Sequence, residues 1–313
     1  MKKFTLAFLF ILCSLATGCG TSSPGTIADA PPRIALPECG STVNCIYLYN
    51  RYSQKLLSYN VDAKTVEQQS NIVNYIQYEF NEAKNRYFTA GNSLTNGFAI
   101  LSVDRKEIAE VHRLADEKNE AVFPLATDGG KHLFIRSYYD EEGTESKRSI
   151  AQLNPDNTLS DFSNVTGLVS SGVLIGEQLY YTTYEEAMNA YSLFALDVTD
   201  LSSKPQLVGE NLEASELYAL NGRLLVSDHQ YIYNDEERFV KQPLNYFDSG
   251  NGILIQIYPD SNANLALDAI DTATKQVIGT ASNIIDFAIE DHQITVYGQG
   301  HIAHIPLKPR GDQ

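Results

Sequence analysis

Two histidines, one run of carboxylates and one close pair of cysteines are the residues of this chain whose types and spacing could do chemistry. His301 and His304 form an HxxH pair inside HIAHIPL, a segment with the alternation of a strand. Positions three apart on a strand point to opposite faces, so the two imidazoles are predicted to act separately, as surface or core residues, and not as a metal pair. Asp260, Asn262 and Asn264 alternate as the first ligands of a calcium loop do, with Asp268 and Asp271 at its ninth and twelfth places. Yet Leu265 stands where the sharp bend requires glycine, and Asp271 is shorter than the bidentate glutamate. The segment reads as a hairpin loop, and calcium is the one cofactor its spacing suggests. There is no G-x-S-x-G elbow, no G-x-G-x-x-G and no phosphate-binding loop. These motifs name no catalytic residue and no metal ligand.

Cys39 and Cys45 enclose five residues, which is neither a redox CxxC nor a zinc set, because no third or fourth mature thiol accompanies them. In an oxidising compartment they are expected to form a disulfide across a small loop, stabilising the fold by about 2 kcal/mol; two free thiols are the alternative. Export is indicated by residues 1–20, MKKFTLAFLFILCSLATGCG. Two lysines precede an apolar run from Phe4 to Ala16, too short for a spanning helix and followed by small residues. Ala16-Thr17-Gly18-Cys19 resembles the lipobox of bacterial lipoproteins, with Ala in the position where Leu is commonest. The resemblance implies cleavage before Cys19 and a lipid anchor on Cys19, with acyl chains such as palmitate; Gly20 after the cysteine resembles the sorting signal for a cell outer membrane. An ordinary cleaved leader is the alternative. Residues 1–18 are thus expected to be a lipoprotein signal peptide and 19–33, rich in Gly, Ser, Thr and Pro, a lipidated flexible tether holding the domain at about 20 Å from the lipid.

The elements that would position any site repeat along residues 34–313. The stretch 167–211 holds four alternating or β-branched segments, Leu168 to Leu174, Leu179 to Tyr184, Ser192 to Asp197 and Gln206 to Val208, the pattern of a four-stranded meander. The strongest apolar strands are centred at Tyr47, Tyr87, Phe134, Tyr180, Leu225, Leu254 and Thr295, mostly 40 to 47 residues apart. That period fits the roughly 40 to 50 residues of a propeller blade. The fold class is therefore all-β, a β-propeller of about seven four-stranded blades, with six or eight also fitting. Asp62, Asp104, Asp156, Asp197 and Asp271 each follow an outgoing strand, where a carboxylate can accept a backbone N–H two residues on and close the hairpin. The last unit shows three strands, and Ile34 to Leu36 are expected to supply its fourth, covering an edge. Ala269-Ile270-Asp271-Thr272-Ala273-Thr274 is similar to the A-x-D-x-x-T of the quinoprotein-type repeat, which the propeller lipoprotein of outer-membrane barrel assembly also carries. Lys275 stands for the repeat's Gly and Ile278 for its Trp, and the chain has no Trp. The resemblance implies the architecture and not the barrel-assembly role.

Loss of Lys2 and Lys3 with the leader leaves 21 basic and 39 acidic residues, a net charge of −18. Such a surface repels phosphates, which excludes nucleic acid and leaves a membrane contact only through the lipid anchor. In a meander the loops between second and third strands, and those between blades, emerge on one side. The loops from Tyr138 to Arg148, Tyr184 to Tyr191 and Ala115 to Val122 are expected to share that face. Its candidate interaction residues are Tyr138, Tyr139, Asp140, Glu141, Glu142, Tyr184, Glu185, Glu186 and Tyr191, aromatic anchors amid orienting charge. The sequence thus describes a lipid-anchored envelope propeller acting as a non-enzymatic binding or scaffold protein with an envelope protein partner. The alternative is a propeller hydrolase or lyase acting on envelope sugars or peptides, with or without a cation.

Overall fold

Short apolar runs separated by Asn, Asp and Gly leave this chain little option but hairpins, and the computed structural model is built of them. It describes residues 36–40, 44–50, 53, 55–70, 78–80, 86–92, 97–114, 119–128, 130–200, 203–213, 216–290 and 292–307. Among these there are 26 strands in seven antiparallel sheets, each sheet a meander taken in chain order. The first is β1 (Cys45–Asn50), β2 (Lys55–Asn60) and β3 (Thr65–Gln69). The second is β4 (Tyr78–Phe80), β5 (Arg86–Asn92), β6 (Gly97–Val103) and β7 (Ile108–Arg113); the third is β8 (Glu120–Asp128), β9 (Lys131–Tyr139), β10 (Glu145–Leu153) and β11 (Leu159–Asn164). The fourth, β12 (Leu168–Ile175), β13 (Gln178–Glu185), β14 (Ala190–Asp197) and β15 (Gln206–Leu212), is the meander expected in 167–211. The fifth is β16 (Glu216–Leu220), β17 (Arg223–Ser227), β18 (Tyr231–Tyr233) and β19 (Arg238–Val240). The sixth is β20 (Leu244–Asp248), β21 (Ile253–Pro259), β22 (Leu265–Asp271) and β23 (Gln276–Ser282), and the seventh β24 (Ile284–Ile289), β25 (Gln293–Gly298) and β26 (His301–Pro306). The fold is an all-β propeller of seven blades, and its short fifth blade, with two three-residue strands, explains the close spacing of Leu225 and Leu254.

Turn chemistry follows the residue types. Asn221 and Gly222, at φ 50° and 71°, make the two-residue hairpin between β16 and β17, the mirror-image turn whose twist suits antiparallel strands. Asp104, Asp156, Asp197 and Asp271 accept the backbone N–H two residues on, at 2.6, 3.0, 2.8 and 2.9 Å. Asp62 departs from this expectation: it lies between the second and third strands of its sheet, where Asn60 accepts the Ala63 N–H and Asp62 accepts from Asn44 Nδ2. Lys275, standing where the similar repeat has glycine, holds the left-handed φ of 58° that glycine would take.

Apolar side chains on facing sheets form the core, and the clusters run around the ring. Leu133, Ile135 and Ile150 of the third sheet meet Leu174, Leu179 and Tyr181 of the fourth. Ile255 and Leu267 of the sixth meet Phe287 and Ile294 of the seventh. Leu48, Leu57 and Tyr59 of the first sheet meet Ile285 and Tyr297 of the seventh, closing the circle. Closure is by packing and polar bonds. Tyr59 donates its hydroxyl to the Gly298 carbonyl at 2.7 Å, the Tyr49 N–H donates to buried Asp286 at 3.0 Å, and Arg105 reaches from the β6–β7 turn to Asp286 at 3.2 Å and to the Phe287 carbonyl at 2.8 Å. Among the described residues no strand is shared between the first and last sheets. Ile34 and Ala35 lie outside the described residues; Leu36 packs with Tyr47 against Tyr49, Leu56 and Leu101, between the first and second sheets, and does not extend the edge of β26 as expected. There its apolar side chain is partly buried against that cluster, which takes apolar surface out of water. Cys39 and Cys45 are joined in a disulfide, Cα atoms 5.4 Å apart.

Candidate functional site

The site begins with two strand irregularities. In β8 the register against β9 slips between Pro124 and Ala126, and in β12 the register against β13 slips between Val169 and Ser171. Each slip inserts one residue, Leu125 or Ser170, whose backbone falls out of the ladder and bends the strand. Below the bulges the two strands approach so closely that a Cβ on Gly172 would overlap the Leu125 side chain. Around them lies a cavity of about 600 Å³ between the inner strands of the third, fourth and fifth sheets. Its walls are apolar at Phe123, Leu125, Ile135, Leu168, Val169 and Leu217, with Tyr139, Arg148 and Glu216 among its polar members. Ser171 Oγ accepts the Leu217 N–H at 3.0 Å and ties the fourth sheet to the fifth along one side.

Tyr139 and Arg148 carry this cavity to the face expected from the loops. The Tyr139 N–H donates to the Asn119 carbonyl at 2.7 Å, placing the connection between second and third sheets beside the β9–β10 turn. Arg148 Nη1 donates to the Gly167 carbonyl, and Gly167 lies against Thr183 and Tyr184, so the next connection joins the same end as the β13–β14 turn. The loops themselves are shorter than expected, because β9 and β13 run on to Tyr139 and Glu185 and leave turns of only five and four residues. Residues 115–118 lie outside the described residues.

The nine candidate residues divide by what they touch. Tyr138 points its hydroxyl at Asp161, 2.9 Å from Oδ2, under the charges of Arg136 and Lys147, each 4.9 Å from its ring. Burial, then the bond to Asp161, push its ionisation up to about 12 against the pull of Arg136. Asp161 is held below the usual carboxylate range: burial acts to raise it, and donation from Lys147 and Tyr138 outweighs that. Asp140 is a turn residue, accepting the Glu142 and Thr144 N–H groups at 3.0 and 2.8 Å. Tyr184 and Tyr191 stack at a tilt with centroids 5.1 Å apart, and Tyr184 donates to Asn189 at 2.8 Å. Glu141, Glu142, Glu185 and Glu186 are exposed. Leu168, opposite Tyr184 in the ladder, and Met188 are each 55% exposed at this end. Sequence reasoning missed both, as well as the cavity; the signal available was an apolar residue at the tip of an otherwise polar turn. Every described cation here is engaged by an acid: Arg136 by Glu120, Lys147 by Asp161, Arg148 by Glu145.

The other motifs serve structure. Asp260 accepts the Asn262 and Asn264 N–H groups and closes a hairpin, while Asp268 accepts from Tyr258 and Asp271 closes the next turn. His304 sits 3.2 Å from Thr295 Oγ1, and His301 beside the Gln299 carbonyl. Cys19 lies outside the described residues, among which no helix is long and apolar enough to cross a membrane.

No protein-family model matches the chain, and no curated protein matches it in sequence. Among solved structures it is similar to TolB from Acinetobacter baumannii, at 13% identity and TM-score 0.49, over 84% of this chain and 66% of that one. It is similar too to the β-propeller domain of the Trilobed protease from Pyrococcus furiosus, at 10% identity and TM-score 0.46, over 83% and 90%, and to AztD from Citrobacter koseri, at 9% and 0.36, over 84% and 86%. The propeller assignment rests on the strand order above.

Proposed function

We propose that the protein is an envelope β-propeller, anchored by lipid on Cys19, that binds an envelope protein through the face bearing the β9–β10 and β13–β14 turns and catalyses no reaction. The observation that carries the reading is the company kept at that face: exposed Leu168 and Met188, the Tyr184–Tyr191 pair, and four exposed glutamates. Apolar anchors supply affinity when a partner covers them, and surrounding like charge sets orientation and association rate. The test is capture of a partner from solubilised envelope. Reversing Glu142 and Glu186 to Lys should abolish capture and its salt dependence, whereas reversing Glu177 and Asp235, on turns at the opposite ends of their strands, should leave both intact. Capture that survives the first pair in a folded protein overturns the reading.

A further inference from the structure

Resting on that reading, we propose that the cavity between the third, fourth and fifth sheets receives one large apolar side chain of an extended, lysine- or arginine-flanked segment of the partner. Three observations converge. The volume of about 600 Å³ lies within the roughly 300 to 1,000 Å³ of ordinary ligand cavities, and its lining sets apolar Phe123, Leu125, Ile135 and Val169 beside polar Ser137 and Glu216. Bulged residues Leu125 and Ser170 both line it, and a bulged residue is left out of its own ladder, the kind of backbone with which an extended guest can pair. The charge at the mouth selects the flanks. Arg136, Lys147 and Arg148 are already bound by Glu120, Asp161 and Glu145, leaving Asp140, Glu141, Glu142, Glu185 and Glu186 as the exposed charge at the two strand ends beside the cavity. An anionic guest is repelled and a basic one drawn in. Those glutamates belong to turns on two different sheets, a spread that suits a peptide with charges on both sides of its anchor. Leu168, 55% exposed at the rim, is where the anchor would pass.

The probe is a fluorescent heptapeptide, Gly-Lys-Ser-Phe-Ser-Lys-Gly, titrated against the full-length protein by anisotropy, beside one variant with Ser for Phe and another with Glu for both Lys. Saturable binding that weakens with salt is expected, with at least about a tenfold loss for either variant peptide, roughly the value of one buried apolar anchor. Leu168→Glu, a change at an exposed position, should weaken binding of the Phe peptide as strongly, while Leu207→Glu on the outer strand of the fourth sheet should not. Absence of saturable binding at millimolar peptide, or binding indifferent to Leu168→Glu, overturns the inference. Partner capture that responds to the Glu142 and Glu186 reversals but not to Leu168→Glu would overturn the cavity assignment and leave the binding face standing. Capture indifferent to the reversals would overturn the face while a Leu168-dependent peptide site stood.

Discussion

Tyr138, on the proposed face, is held by its own sheet. Its hydroxyl is committed to Asp161 and its ring lies under two cations, so it braces the third sheet. Its ionisation, pushed up to about 12, exceeds the value of about 10 in an unfolded chain. The stabilisation it gives is therefore whole below pH 10 and drains away as pH climbs from there toward 12. Tyr138→Phe should cost about 1 kcal/mol at pH 8, a hydrogen bond to a charged group discounted for partial exposure. By urea unfolding, the gap between the two proteins should narrow at pH 11; a gap of equal size at both pH values would contradict the assignment. By the same logic Glu141 and Glu142, which are exposed, contribute little to stability; encounter with a partner is the role proposed for them.

Strand bulges and close approaches decide what the elements can present. Gly172 lets β12 come down on Leu125, and Gly172→Ala should destabilise the protein by about 1 to 3 kcal/mol through overpacking. Urea midpoints would check this, and peptide binding should weaken with it because the bulge at Ser170 is two residues away. A midpoint equal to that of the unaltered protein would mean that the strands part freely. The meanders themselves were legible in the sequence because a hairpin is local: the alternation of 168–174 and the Asn221-Gly222 turn need only near neighbours. The turn aspartates were legible for the same reason, and Asp62 misled because a turn signal does not say which two strands it joins. The bulge at Leu125 was not legible, since 121–126, AVFPLA, is apolar throughout and has no alternation for a register slip to interrupt. Nor was Tyr138, whose partner Asp161 lies 23 residues away on β11. The candidate face was half legible: its acids followed from loop lengths, while Leu168 and Met188 emerged only when the ends of β12 and β13 were set side by side.

The molecule as a whole is a circle made from a line, and its join is the contact of the first sheet with the seventh. Arg105 lies across that join, bound to Asp286 and the Phe287 carbonyl and placed 4.8 Å over the Tyr297 ring. Asp286 has no side-chain exposure. Removing the arginine takes the countercharge from a buried carboxylate that keeps its backbone donors at Tyr49 and Phe287, so Arg105→Ala should cost about 2 to 3 kcal/mol, still above the typical surface pair. Calorimetry should show a lowered Tm; a shift within error would mean that the join is held without the arginine, by its apolar packing and the bonds of Tyr49 and Tyr59. The bond from Tyr49 to Asp286 spans 237 residues and that from Tyr59 to Gly298 spans 239, and such distant partners meet late, because chain closure must precede any gain from it. The order of events on the way to the native state follows from that geography. Central blades, whose contacts are local, can assemble while the chain is still incomplete, but the amino-terminal blade, the first to be synthesised, has to wait for the carboxyl-terminal one. Lesions at the join should therefore hasten unfolding and leave the speed of refolding nearly untouched.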